Sequence, residues 1–372
     1  MQAQTVKLEK QKNITLENGY NIPLISEDRH YWFVRTDSGL YFDDFLINGY
    51  IAIGWDYLSP NHFISTEENM LISLEALKNL IATNESFDEY DSERAIKAEI
   101  TKIINKVKYF ICDMSVGDVV IIPSKDKESI LVGIITGTVK EVENYVESYR
   151  VANPDSIVEP CPYKKRRTVH WLKQLEKKSL DMYLAKAIQA HQAITNLDEY
   201  ANYINRNLFD NYIINDNFHS LIRTTTDADL TLTDLHFLTS LYVEKVTELS
   251  QQFGLSITSD DIKIKINIHC PGLVEFVTDL SQLSTLGEAG LGVALIALVA
   301  WNAPGAIANV ANAAKDCFIA YNHEETERKR IESTERMHSK DVELKMKEME
   351  SRLGISPSVT LESNAIEKNP ES

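Results

Sequence analysis

The chain has 372 residues, of which 38 are Lys or Arg and 55 are Asp or Glu, giving a formal net charge of −17. Hydrophobic residues make up 44% and charged residues 25%, enough apolar material for packed cores, so wholesale disorder is excluded and the length points to two domains or three. The acidic balance argues against nonspecific wrapping of nucleic acid but leaves room for a local basic groove. Four cysteines (Cys112, Cys161, Cys270, Cys317) lie far apart with no CxxC pair. That excludes the usual zinc-finger and redox spacings and fits a reducing, cytoplasmic setting. The opening MQAQTVKLEKQKN lacks the basic-then-apolar order of a secretory signal.

Residues 1–27 are polar without a sustained period and predict an arm or a single added strand. Aromatic and β-branched residues then cluster in Tyr31-Trp32-Phe33-Val34-Arg35, and Ile51, Ile53 and Trp55 alternate onto one face. Helices are predicted over Glu67–Ala82 and from about Ser92 to Cys112, where Ile96, Ile100, Ile103, Val107 and Phe110 recur at helical spacing. Gly117-Asp118 is a turn signal feeding a strand over 119–123. A second strand follows over 130–135, then Val139, and a third over 167–171. The spacing of Leu180, Leu184, Ala187, His191 and Ile194 predicts one helix from Leu180 to Ile204. Short strands with helices between them predict an α+β fold built on a small closed or half-closed barrel.

The second half reads as another α+β region. Residues 206–232 carry no clear pattern. A helix is predicted from Thr233 to Phe253, ending at Gly254. From Asp261 to His269 the chain alternates, with Ile262, Ile264, Ile266 and Ile268 on one face and Lys263, Lys265, Asn267 and His269 on the other. Leu286–Ala314 is rich in Gly and Ala and predicts a packing helix, Asp316–Leu353 predicts a long charged helix, and 354–372 is a disordered tail by composition. The expected division is therefore a polar arm at 1–27, a binding domain at 28–205, an assembly region at 206–353 and the tail.

The first region carries an ordered set of elements. These are an aromatic strand ending in Arg35, Gly49 leading into Ile53-Gly54-Trp55, and Gly117-Asp118-Val119-Val120-Ile121-Ile122-Pro123. Val132-Gly133-Ile134 and Arg167-Thr168-Val169-His170-Trp171 follow. Over residues 28–205 this resembles the PUA/EVE-like modules at the N-terminus of many bacterial restriction and phage-defence proteins. The resemblance implies a small β-barrel whose pocket accepts a flipped or modified base. An acidic stretch around Glu85–Glu93 departs from that pattern. The C-terminal half resembles uncharacterised bacterial defence proteins only in outline.

Three tryptophans (Trp32, Trp55, Trp171) fall in this region, and flat π faces with a few polar groups are what an unstacked base needs. Arg35 offers a fork of donors or a stacking plane. The competing reading is that these rings are barrel core. Between 164 and 178 the chain holds seven Lys or Arg against Glu176, a local net of +6. Its members Lys164, Lys165, Arg166, Arg167 and Lys173 fit a phosphate backbone, because basic side chains replace condensed counterions. Alternatively they are a solvated strand edge guarded by lysines.

Small residues at Gly290, Ala294 and Ala297 allow close helix approach, and Val342, Met346, Met349 and Leu353 form a seam of about two heptads, both pointing to homo-oligomerisation. The apolar run Ala289–Trp301 is shorter than the ~20 residues a bilayer-spanning helix needs. No phosphate loop, HExxH or GxSxG is present, no metal or cofactor is implied, and no catalytic residue stands out. Asp261-Ile262-Lys263 and Glu343-Leu344-Lys345 are acid-x-Lys pairs that keep a metal-dependent nuclease in view.

Two readings stay open beside that one. The first is a recognition or sensor protein that binds a base, nucleotide, nucleic acid or phage protein and assembles through its C-terminal half. The second is a membrane-directed defence effector that inserts residues 289–301.

Overall fold

The computed structural model describes residues 11–15, 21–64, 72–125, 128–180, 182–189, 192–223, 231–253, 257–267 and 273–280. The expected Gly/Ala helix, charged C-terminal helix and tail lie outside these residues. So do Gly290, Ala294, Ala297, Val342, Met346, Met349, Leu353 and the pair Glu343 and Lys345.

The strands are β1 (Gln11–Thr15), β2 (Asn21–Ile25), β3 (Tyr31–Val34), β4 (Tyr50–Ile53), β5 (Val119–Pro123), β6 (Ser129–Ile135) and β7 (Lys140–Glu141). They continue as β8 (Lys165–Glu176), β9 (Ile194–Asn196), β10 (Asn211–Ile214), β11 (Asn217–Arg223), β12 (Ile262–Asn267) and β13 (Leu273–Asp279). The helices are α1 (Phe42–Asn48), α2 (Leu74–Asn84), α3 (Glu93–Lys108), α4 (Tyr145–Ala152), α5 (Met182–Ala187), α6 (Ala201–Leu208) and α7 (Leu232–Phe253). The chain is thus a mixed α+β protein with curled sheets. Its described residues divide into two compact units, one built on 28–208 and the other on 11–27 and 209–280.

The first unit is a curled half-barrel with strand order β4-β8-β6-β5-β3-β9, and β7 pairs with β8. Its centre is β5 and β6, whose apolar runs Val119–Ile122 and Ile130–Val132 are buried, as expected of strands covered on both faces. The long β8 turns the corner. Its first residues pair with β4 and with β7, and its later ones with β6 from Val169↔Ile135 to Glu176↔Ser129. The register shifts at Val132/Gly133, where a Cβ on Gly133 would stand 2.5 Å from the Trp171 ring. Only glycine leaves the ring room to cross the bulge.

Helix α3 begins at Ser92, whose hydroxyl accepts from the Ala95 N–H, and buries Ile100, Ile103, Ile104 and Val107 on one face. It passes into a wider turn over Tyr109–Asp113. Helix α1 closes on Gly49 at φ +64, a left-handed cap that aims the chain into β4.

The single helix expected over Leu180–Ile204 is not formed. Ile194–Asn196 instead lies antiparallel to β3, with α5 before it and α6 after it. Tertiary strand pairing outweighs the local helical spacing there.

The second unit is a six-stranded sheet in the order β1-β2-β10-β11-β13-β12. Within the expected polar arm, Gln11–Thr15 and Asn21–Ile25 pair as the antiparallel strands β1 and β2, and the unassigned stretch supplies the hairpin β10–β11. Helix α7 covers one face of this sheet. Tyr242 stacks on Phe276 with ring centroids 4.2 Å apart, and its hydroxyl lies 2.8 Å from that of Thr278.

Candidate functional site

Where β4 ends, Gly54 packs under the Tyr163 ring and Trp55 turns into the left-handed region at φ +56. For a bulky non-glycine residue this conformation costs about 1–3 kcal/mol and persists only where its surroundings hold it. The hold is visible. The carbonyl of Trp55 accepts from the Leu58 N–H at 2.8 Å and from the ammonium of Lys165 at 2.7 Å. Lys165 is 0% exposed; its second contact is Asp56 Oδ1 at 3.3 Å, and that carboxylate also accepts from the Lys164 N–H at 3.1 Å. Burial depresses the Lys165 pKa, with Asp56 opposing the shift. The Trp55 indole is half-buried, and the Lys106 ammonium stands 5.6 Å from its ring while lying 3.7 Å from Glu99. Two residues on, the Tyr57 hydroxyl donates to Glu85 at 2.7 Å.

The other sequence-predicted aromatics occupy different places. Trp32 is buried core, donating from Nε1 to Asp118 at 3.1 Å with its ring against Tyr109. Trp171 is half-buried and donates to the Phe45 carbonyl at 2.8 Å. Arg35 is half-buried beyond the end of β3, its N–H bonded to the Ala193 carbonyl at 2.9 Å. Of the three tryptophans, Trp55 alone combines partial exposure with a strained backbone.

The basic run is not a continuous exposed strip. Lys165, Arg166 and Arg167 are 0%, 6% and 3% exposed. The Arg166 guanidinium lies over the rings of Tyr145 at 3.5 Å and Tyr50 at 4.3 Å, and donates to the carbonyls of Cys161 at 2.6 Å and Tyr163 at 3.0 Å. Arg167 donates to the carbonyls of Phe110, Ile111 and Gly137 at 2.7, 3.0 and 3.2 Å, the first two in the wider turn that follows α3. Burial pulls its pKa down to about 10. These cations serve backbone oxygens, because a charge removed from water needs partners at once. At the surface, Lys164 pairs with Glu143 at 2.6 Å and Lys173 donates to the Asn207 carbonyl at 3.1 Å.

Beneath Arg166 is a polar cluster that sequence reading missed. The buried Asp44 carboxylate accepts from Asn48 and Tyr145 at 2.8 Å each, from the Cys161 N–H at 2.7 Å, and from the Tyr50 hydroxyl. Burial and donation to Asp44 push Tyr145 up to about 12, and Tyr50 higher still. Burial also raises the Cys161 thiol to about 12, which makes it a poor nucleophile at neutral pH. Every oxygen of Asp44 is engaged, so the cluster is a structural lock. The only local signal was Asn48 one helical turn beyond Asp44.

Residues 35–198 match the family model of a domain of unknown function, DUF8426. The match takes in Trp55, the Lys165 hold and the whole Asp44 cluster. Comparisons with curated proteins and with solved structures return no match. Among the described residues no group of His, Cys, Asp and Glu is placed to hold a metal ion, and no helix is long and apolar enough to cross a membrane. In the acid-x-Lys pair at 261–263, Asp261 accepts from the Thr258 N–H at 2.8 Å and from its hydroxyl at 3.0 Å as part of a capping box, and Lys263 is exposed.

Proposed function

We propose that the first unit is a PUA/EVE-like recognition module that binds a planar ligand, a nucleobase, nucleotide or modified base, against the Trp55 indole. One observation carries the reading: a partly exposed tryptophan is held in a strained backbone conformation by a wholly buried lysine. Strain of this kind collects at ligand clamps, and Trp55, although packed in part against the core, is only partly buried. A fixed indole is a stacking platform that loses little entropy on binding. With Lys165, Arg166 and Arg167 buried, phosphate contact falls to Lys164 and Lys173. The reading is therefore of a single base or nucleotide, or a splayed-out base of a single strand, rather than a tracked duplex.

A role as a sensor in bacterial phage defence rests on the resemblance of the ordered motifs. Assembly into a homo-oligomer rests on the small-residue run and heptad seam of the C-terminal sequence. Equilibrium binding of adenosine, guanosine, cytidine, thymidine and a short single-stranded oligonucleotide tests the proposal. The parent binds at least one of them, Trp55→Phe retains part of that affinity, and Trp55→Ala loses it while keeping the parental circular dichroism. Equal binding by parent and Trp55→Ala contradicts it.

A further inference from the structure

In the second unit β12 is the terminal strand of the sheet among the described residues. Its inner edge pairs antiparallel with β13, from Ile262↔Thr278 to Asn267↔Leu273. Ile264 and Ile266 stand opposite Phe276 and Val274, on the sheet face that α7 covers through Tyr242. That cover stops short of β12, leaving Ile264 and Ile266 each 41% exposed. On the opposite face Lys263 and Lys265 are exposed. Among the described residues no strand pairs with the outer edge of β12, and an apolar edge is a template for a further strand.

We propose that the outer edge of β12 is a strand-addition site for a foreign extended peptide in which apolar residues alternate with acidic ones. Val274 and Phe276 lie opposite Ile266 and Ile264, whereas Glu275, opposite Lys265, is buried with its carboxylate 2.6 Å from His219 Nδ1, so the charge that a strand on the outer side meets is that of the exposed Lys263 and Lys265. A strand on the other side meets the same side chains from the opposite edge. Apolar residues there pack beside Ile264 and Ile266, and acidic ones face the two lysines. A second copy does not fit. Antiparallel β12 against β12 with the isoleucine faces aligned sets lysine opposite lysine, and like charges directly opposite are destabilising.

The probe is a fluorescently labelled peptide, Val-Glu-Phe-Glu-Val-Glu-Val, titrated with the full chain and read by anisotropy. It binds at least about tenfold more tightly than the same peptide with every Glu replaced by Lys. Lys263→Glu, which faces Val277 rather than Glu275 on the inner side, narrows or reverses that preference. Two further peptides, N-methylated at alternate residues and offset by one, need no protein variant. The one methylated on the edge facing β12 fails to bind, and the other binds like the parent peptide. Equal affinity for acidic and basic peptides, no binding of either, or binding of both N-methylated peptides overturns the proposal. So does an Ile264→Lys variant whose native mass falls below that of the parent, because the occupant is then a second copy.

Discussion

The ammonium of Lys165 lies 2.7 Å from the carbonyl oxygen of Trp55, and that bond joins the corner strand β8 to the left-handed turn after β4. A cation that composition suggests for nucleic acid is spent inside the protein, on the backbone of the residue proposed to meet the ligand. Position, rather than charge, is what the basic run contributes to the site.

Lys165→Met keeps the stem packing but leaves the Trp55 carbonyl and Asp56 without the ammonium. The variant loses about 1–3 kcal/mol of stability in urea titration, the worth of a charge-assisted hydrogen bond to the Trp55 carbonyl, although the Leu58 and Lys164 N–H groups still serve Trp55 and Asp56. Any ligand affinity falls with it, although Trp55 is still present. A variant as stable and as tightly binding as the parent contradicts the positional role.

Arg167→Met and Lys164→Gln remove one charge each, yet their effects diverge. Arg167 serves three carbonyls, so its loss costs about 3 kcal/mol or more. Lys164 has only its half-exposed pair with Glu143, and its loss stays within about 0.5 kcal/mol. Similar urea midpoints for both variants would restore a solvated strip.

Several elements were legible because one local pattern governs them. The apolar runs of β5 and β6, the stripe Ile100–Val107 in α3 and the alternation in β12 each survive as read. The basic run misled for a physical reason: the acceptors of Arg166 and Arg167 are carbonyls of Cys161, Tyr163, Phe110, Ile111 and Gly137, and a carbonyl carries no sequence signature. Trp55 was legible as a candidate but its left-handed backbone was not, since nothing in Gly54-Trp55-Asp56 demands it without Lys165 from more than a hundred residues away. The helix expected across Ile194 failed because β3 offered a free edge that only the folded chain reveals.

Tyr145 ties alkaline stability to the Asp44 cluster. Its folded pKa is raised to about 12 from the ordinary 10.0, so the stability the neutral phenol contributes is complete below pH 10 and is lost as the pH rises to about 12. Tyr145→Phe cannot ionise and loses less stability across that window than the parent. At pH 7 it is weaker by about 1 kcal/mol for the missing bond to Asp44. Urea midpoints at pH 7 and pH 11 separate the two effects, and parallel losses in both proteins contradict the assignment.

Gly133→Ala places a methyl 2.5 Å from the Trp171 ring and 2.6 Å from the Val169 side chain, with backbone too close to yield. The expected loss is about 1–3 kcal/mol, the cost of overpacking, with a changed near-ultraviolet spectrum from the displaced indole. A neutral variant would mean that the bulge relaxes.

The most direct measurement is the indole N–H region of a two-dimensional NMR spectrum recorded while nucleosides are titrated into the full chain. Trp32 and Trp171 hold their Nε1 protons on Asp118 and the Phe45 carbonyl, so their signals stay in place. The signal that Trp55→Phe removes is the one that shifts on addition of a binding nucleoside. No shift of that signal with any base, or a shift of the Trp171 signal in its stead, contradicts the account.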